Sequence, residues 1–229
     1  TVITGQIRDD PLNSGNDRRI NQAGPGVLII DVDSGANQQA GPTTITRGNF
    51  HYANNDSLNA GAGMILSRGG AIGVDTGIAT NTSFAAKIDP ASTGGIMLAP
   101  SDAAANLDFT TTLANAAGMT VAAPETGLTY TGTITPANST YGLGGGAGTL
   151  TLPDAQLTGA NSLELRNEGV VELLGDNTYT GTTTILRRPS SSDPLTLAVA
   201  QLADGSVPSS IGASTANASN LTIQGGTLK

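Results

Sequence analysis

The feature that most constrains the fold of this chain is a succession of short runs in which apolar and polar residues alternate. Examples are GVLIIDV at 26–32, LTYTGTI at 128–134, SLEL at 162–165 and TTTIL at 182–186. Gly, Asn, Asp and Pro separate these runs, as they separate strands that are joined by turns. Thr and Val also suit a pleated, half-buried surface. The pattern therefore predicts an all-β chain, which could be a sandwich, a barrel or a solenoid.

Internal repetition decides among these three architectures. A run of the form G-V-apolar occurs at 26–30 and again at 169–173, and each is followed by a turn and a G-x-T-T-I run, at 41–45 and 181–185. The first copy has three more residues in its turn than the second. Stacked coils tolerate insertions that fall in turns and spare the strands. The repetition therefore favours a solenoid.

Helical patterns are nearly absent from the sequence. The best candidate is DPLTLAVAQLADG at 193–205, which has a proline near its start and a glycine at its end. The alternation of Leu195, Leu197 and Val199 indicates a strand equally well. Both interpretations of this segment stay open at the level of sequence.

One copy of the repeat resembles a known family. The segment LGDNTYTGTTTI at 174–185 is similar to the L-x-G-x-N-T-Y-T-G-x-T-T-I core of the autotransporter-associated β-strand repeat, and is one residue tighter between the Leu and the Asn. The similarity covers 126–229 well and 22–50 more loosely, whereas 51–100 departs from it. The residues that carry it are Gly175, Asn177, Tyr179, Gly181, Thr183 and Ile185 in one copy and Gly26, Gly41, Thr43, Thr44 and Ile45 in the other.

The resemblance implies a right-handed parallel β-helix that serves as a passenger or stalk in an extracellular or cell-surface bacterial protein. We expect one solenoid domain over 1–229, with a variable, insertion-rich region at about 51–100. With about 20 to 25 residues per coil, such a domain would hold about ten coils.

The residues of the repeat have expected places in a coil. Gly and Asn turn the corners because they accept left-handed backbone angles at little cost, and we expect Asn177 to bond to turn backbone. Thr is expected on the outside, where its branched shape suits a strand and its hydroxyl meets water. The narrow interior is expected to hold Ile45, Leu165, Leu173, Ile185, Leu221 and Ile223.

Composition excludes several classes of function. The net charge is −8, and the ten Lys and Arg residues are scattered without forming a basic stripe. This distribution argues against nucleic-acid binding, which rests on neutralising phosphates. The chain has no cysteine, which excludes disulfides and thiolate metal sites. No run approaches the roughly 18 apolar residues of a membrane span, so we expect no span in this chain.

A weak metal site is suggested by one turn. Asp31, Asp33 and Asn37 place side-chain oxygens at alternate positions, with Gly35 available for a turn, as in the opening of a calcium loop. The acidic residue that closes such a loop at its twelfth position is missing. A hydrophilic turn is the competing interpretation, and we expect no other cofactor.

Catalytic residues are sparse. The candidate carboxylate pairs for a glycoside hydrolase are Asp9 with Asp10 and Asp31 with Asp33. Neither is accompanied by the His-Gly or Arg-x-Lys elements expected of a pectinase-like site, and the chain has no Trp to stack on sugars. His51 is the only histidine, so a triad or metal site has no second one to draw on. We therefore expect no enzymatic activity.

The leading functional hypothesis is a non-enzymatic, extracellular rod or fibre module that self-associates through its strand edges. The alternative is an adhesin that binds glycans or matrix through loops of residues 50–100. That region contains three of the seven aromatic residues, Phe50, Tyr52 and Phe84.

Overall fold

The chain winds into a parallel β-solenoid of stacked coils, as predicted. The computed structural model describes residues 1–4, 18–32, 39–58, 64–187 and 194–229. Within these ranges the structure is nearly all β, and its one α-helix is the short α1, Thr82–Lys87. None of the helices in the described ranges is long and apolar enough to cross a membrane.

A single parallel sheet, which we call the long sheet, runs through the whole stack. Its ten strands in spatial order are β1 Val2–Ile3, β3 Val27–Ile30, β5 Asn49–Tyr52, β7 Ala71–Val74, β8 Gly95–Met97, β10 Thr120–Ala122, β13 Thr140–Leu143, β15 Ser162–Asn167, β17 Thr183–Arg187 and β19 Leu221–Gln224.

Shorter sheets form the other faces, and they differ between the two halves of the stack. The N-terminal half has β2 Ile20–Gln22, β4 Thr43–Ile45 and β6 Ile65–Ser67. The C-terminal half has β11 Leu128–Thr129, β14 Thr149–Leu152, β16 Gly169–Leu173, β18 Leu195–Val199 and β20 Thr227–Leu228. A third pair, β9 Leu107–Asp108 with β12 Ile134–Thr135, comes from the middle of the chain.

The stack amounts to about seven turns, so the prediction of ten coils is wrong. Paired positions in neighbouring rungs are 20 to 25 residues apart from Val27 to Thr183, which is the expected coil length. The end intervals are longer: 27 residues separate Val2 from its partner Ile29, and 38 separate Thr183 from Leu221. The additional residues of these two longer intervals do not form further coils.

The interior consists of columns of stacked apolar side chains. One column runs through Val121, Leu143, Leu165, Ile185 and Ile223. The predicted interior positions Ile45, Leu165, Leu173 and Ile185 are fully buried. The prediction is wrong for Leu221, which is half-buried, and for Ile223, which is 47% exposed; both lie in β19, which has a neighbouring strand of the long sheet on one side only.

The ambiguous segment at 193–205 contains a strand and no helix. Leu195–Val199 forms β18 and pairs along its whole length with β16. Leu195 and Leu197 are buried in the core, whereas Thr196 lies between them on the other face. The period of two therefore reflects a half-buried strand, and the helical interpretation is wrong.

The long sheet folds back on itself between its two halves. β10 and β13 pair through one position only, Val121 with Leu143. Beyond this joint, the Nη2 atom of Arg166 donates to the carbonyl oxygen of Gly118 at 3.0 Å, and the Nδ2 atom of Asn167 donates to Oγ1 of Thr120 at 3.0 Å. The C-terminal half therefore lies against the outer surface of the N-terminal half.

Alanine and glycine residues on the outer face of the long sheet make this close approach possible. Ala71, Met97 and Ala122 form a buried cluster separate from the main core, on the outer face of β7, β8 and β10. A Cβ atom built on Gly95 would lie 2.9 Å from the carbonyl oxygen of Gly145 and 2.9 Å from Cβ of Ala122. No larger side chain fits at this joint without displacing backbone.

Candidate functional site

The asparagine of the repeat ties three coils together. Asn177 is fully buried, and its Oδ1 atom accepts a hydrogen bond from the backbone N–H of Leu157 at 2.9 Å. Its Nδ2 atom donates to the carbonyl oxygen of Ser210 at 3.0 Å and to that of Gly175 at 3.4 Å. The expectation that Asn177 bonds to turn backbone is confirmed. The side chain supplies partners that the corner peptides could not otherwise reach.

The tyrosine and one threonine of the repeat bond to each other inside the solenoid. The hydroxyls of Tyr179 and Thr183 are 2.6 Å apart, and both residues are buried. Thr43 of the first copy has a longer contact of the same kind with a tyrosine outside the repeat: the hydroxyls of Thr43 and Tyr52 are 3.4 Å apart. Burial raises the pKa of Tyr52 to about 12, and the contact with Thr43 partly opposes this. Burial likewise raises the pKa of Tyr179.

The prediction that the repeat threonines lie outside is wrong for Thr43 and Thr183. Both stand at inward positions of their strands, where the hydroxyl satisfies a buried phenol. Thr44, one position along from Thr43, is half-buried on the opposite face. Ile45 and Ile185 return to the interior.

Close backbone approach accounts for three of the four repeat glycines. A Cβ atom would lie 2.3 Å from the carbonyl oxygen of Arg18 at Gly41, 2.2 Å from the carbonyl carbon of Asp154 at Gly175, and 2.5 Å from the carbonyl oxygen of Asn161 at Gly181. These three contacts join neighbouring coils and leave no room for a side chain. Gly26 has nothing within 4 Å of such an atom, so packing does not require glycine there.

The last rung leaves apolar surface uncovered. Ile223 continues a column in which Leu143, Leu165 and Ile185 are fully buried, yet it is 47% exposed. A cavity of about 200 Å³ lies beside this rung and is lined in part by Thr183, Ile211 and Leu221.

A second concave feature, which we call the outer cleft, lies where the two halves meet. It has a volume of about 360 Å³. Its walls come from corners that are far apart in sequence: Pro25, Gly48, Asn49, Gly146, Ala147, Glu168, Gly169, Val170 and Pro194. Asn49 is 2% exposed, and its Oδ1 atom is buried without a hydrogen-bond partner.

The single histidine pairs with an aspartate on the neighbouring rung. The Nδ1 atom of His51 lies 3.1 Å from Oδ1 of Asp75. His51 shares the outer face of β5 with Asn49, two positions away. No third His, Cys, Asp or Glu joins this pair, and the described ranges contain no group of three such residues that could hold a metal ion.

The predicted calcium residues are only partly described. Asp31 follows β3 directly, and its backbone N–H donates to the carbonyl oxygen of Ile3 at 2.8 Å. Asp33 and Asn37 lie outside the described residues, as do Asp9 and Asp10. The calcium site therefore stays a prediction.

The aromatic residues assigned to the adhesin alternative lie in the core. Phe50, Tyr52 and Phe84 are each fully buried. Phe50 and Tyr52 pack edge to face, with their ring centroids 5.0 Å apart. None of the three has a free ring face to offer to a sugar.

Sequence reasoning missed the outer cleft. Its walls become neighbours only because the long sheet folds back, and no local pattern around Asn49 or Glu168 signals that contact. The glycine-rich run GLGGG at 142–146 is a local signal near the cleft, and a run of this kind indicates only a turn. Three of these glycines, Gly144, Gly145 and Gly146, have positive φ angles of 105°, 84° and 138°.

Comparison with known proteins gives no further guide to function. No protein-family model matches the chain, and no match was found among curated proteins or among solved structures.

Proposed function

We propose that this chain is a structural module of an extracellular or cell-surface bacterial protein, and that it extends a rod by stacking end to end with a second copy. It acts without catalysis. The parallel solenoid and the NTYTGTTTI coil also support its kinship with the autotransporter-associated β-strand repeats, whose right-handed winding we propose for it.

The observation that carries the proposal is the exposure of Ile223. Three members of its column, Leu143, Leu165 and Ile185, are fully buried, so the column ends on a residue that a further rung would cover. Burial of apolar surface is the main driving force of association. The first strand of a second copy offers Ile3, which pairs with the buried Ile30, as an apolar residue for this contact.

The strand edges support the same mode of contact. β1 and β19 are the two edge strands of the long sheet, and neither contains a proline or a charged residue within its bounds. Such edges present unpaired backbone groups that can accept another strand. Because the two edges differ, contact between them is heterologous and does not close, which is the geometry of a filament.

Sedimentation and electron microscopy of the purified chain test this proposal. Rods should lengthen with protein concentration, and Ile223→Lys should leave monomers because it adds a charge to the edge and removes the apolar contact. Leu202→Lys is the matched control: Leu202 is 56% exposed but lies outside the strands. Dispersed wild-type monomers at all concentrations and ionic strengths would reject end-to-end stacking.

A further inference from the structure

An amide oxygen in the wall of the outer cleft has no hydrogen-bond partner. Asn49 lines the cleft and is 2% exposed, and its Oδ1 atom is without a partner. Buried polar groups in folded proteins are nearly always hydrogen-bonded, to protein or to something bound there. The oxygen of Asn49 therefore marks a place for a donor from outside the chain.

The unsatisfied group is neutral, and this selects the chemistry of the ligand. Glu168 is the one acidic residue of the wall, and it has an interaction within the chain. A single carboxylate beside apolar walls compensates a cation poorly for the hydration that it would lose in the cleft. A hydroxyl group can donate to an amide oxygen without bringing in a charge.

The remaining walls suit a small ring. Pro25, Ala147, Val170 and Pro194 are apolar, and a volume of about 360 Å³ is in the range of small-molecule sites. A pyranose has C–H faces to pack on such walls and hydroxyl edges to meet the amide. We infer that the outer cleft binds one neutral sugar ring, either as a free glycoside or as the end of a glycan.

Titration of ¹⁵N-labelled protein by NMR tests this inference. The probes are the methyl glycosides of neutral hexoses and N-acetylhexosamines, with n-butylamine as a cationic probe. At least one glycoside should shift the side-chain amide signals of Asn49 saturably, and n-butylamine should not. Oligosaccharides that end in the same sugar distinguish the two sources, because a glycan end should bind at least as tightly as the free glycoside.

Two variants locate the binding. Ala147 is exposed at the cleft, so Ala147→Phe should obstruct it without disturbing the core. Asn49→Leu should remove the acceptor. Each should weaken binding by about tenfold or more, whereas Ala160→Phe, at an exposed position outside the cleft, should bind as wild type.

Ala147→Phe keeps the inference falsifiable if Asn49→Leu fails to fold. Absence of saturable shifts with every glycoside, undiminished binding by Ala147→Phe, or a preference for n-butylamine would each overturn the assignment. The result is separate from rod formation, because Ile223→Lys should bind the sugar as wild type does.

Discussion

The hydroxyl of Tyr179 lies 2.6 Å from that of Thr183, inside a solenoid whose core is otherwise mostly aliphatic. The three residues between them on the chain, 180–182, turn the corner of one coil. The bond therefore holds that corner closed from within and gives the tyrosine and the threonine of this coil a structural role.

Replacing Thr183 by valine tests this role. The side chain keeps its shape, but the phenol of Tyr179 loses its closest partner in a buried site. We expect a loss of about 1–3 kcal/mol in the free energy of unfolding, measured by urea denaturation. Tyr179→Phe combined with Thr183→Val should recover part of that loss, because no phenol is then left unsatisfied.

Thr184→Val is the matched control. Thr184 is half-buried at the next position of the same strand, on the opposite face from Thr183. Its replacement should change the free energy of unfolding by less than about 0.5 kcal/mol. An equal loss of unfolding free energy in Thr183→Val and Thr184→Val would show that the hydrogen bond to Tyr179 does not stabilise the fold.

The sequence predicted the coil because its strands obey local rules. Alternation places Ile45, Leu173 and Ile185 in the core. Asn177 bonds to turn backbone as expected, but the left-handed angles predicted for the repeat residues are wrong: neither Gly175 nor Asn177 has a positive φ, and Gly175 is required by close backbone approach instead. The inward Thr183 could not be predicted in this way, since threonine suits a strand on either face and only the distant phenol decides. The outer cleft could not be predicted from the sequence either. Its lining residues meet only because one half of the stack folds back on the other, and the alternation of apolar and polar residues does not encode that contact.

A buried carboxylate outside the repeat is a second structural anchor. Asp102 is 2% exposed, and its two oxygens accept the backbone N–H groups of Ile78, Ala79 and Ala99 at 2.9–3.1 Å. Ile78 and Ala79 belong to a neighbouring coil. Asp102→Ala would leave three donors without a partner, so we expect a loss of about 3 kcal/mol or more in the free energy of unfolding.

Thermal and urea denaturation of Asp102→Ala measure this loss. Asp154→Ala serves as the control. Asp154 is exposed, and within the described residues its carboxylate accepts no backbone hydrogen bond like those of Asp102. That substitution should stay within about 0.5 kcal/mol of wild type. If Asp102→Ala were equally mild, the backbone donors would have found other partners.

A surface carboxylate gives a pH-dependent prediction. The side-chain hydroxyls of Thr110 and Thr111, together with the backbone N–H of Thr110, donate to Asp108 and lower its pKa to about 2. Because these bonds favour the charged form, their stabilisation is present above the unfolded pKa of about 3.9 and is lost as the pH falls through about 2.

NMR titration of the Asp108 carboxyl carbon checks this value. Thr110→Val removes the hydroxyl bond that contributes most, so the pKa should rise towards the ordinary value. Thr112→Val, which removes a hydroxyl that forms no bond to Asp108, should leave the titration unchanged. An ordinary pKa in the wild-type protein would contradict the hydrogen-bonded turn.

The fold-back of the long sheet predicts a steric effect at Gly95. An added methyl group would meet Cβ of Ala122 and the carbonyl oxygen of Gly145, both at 2.9 Å, so the two halves would have to separate. Gly95→Ala should therefore lower the free energy of unfolding by about 1–3 kcal/mol, as measured by urea denaturation. Gly24→Ala is the control, since nothing lies within 4 Å of a Cβ atom there. A loss no larger than that of the control would mean that the halves do not pack through this joint in solution.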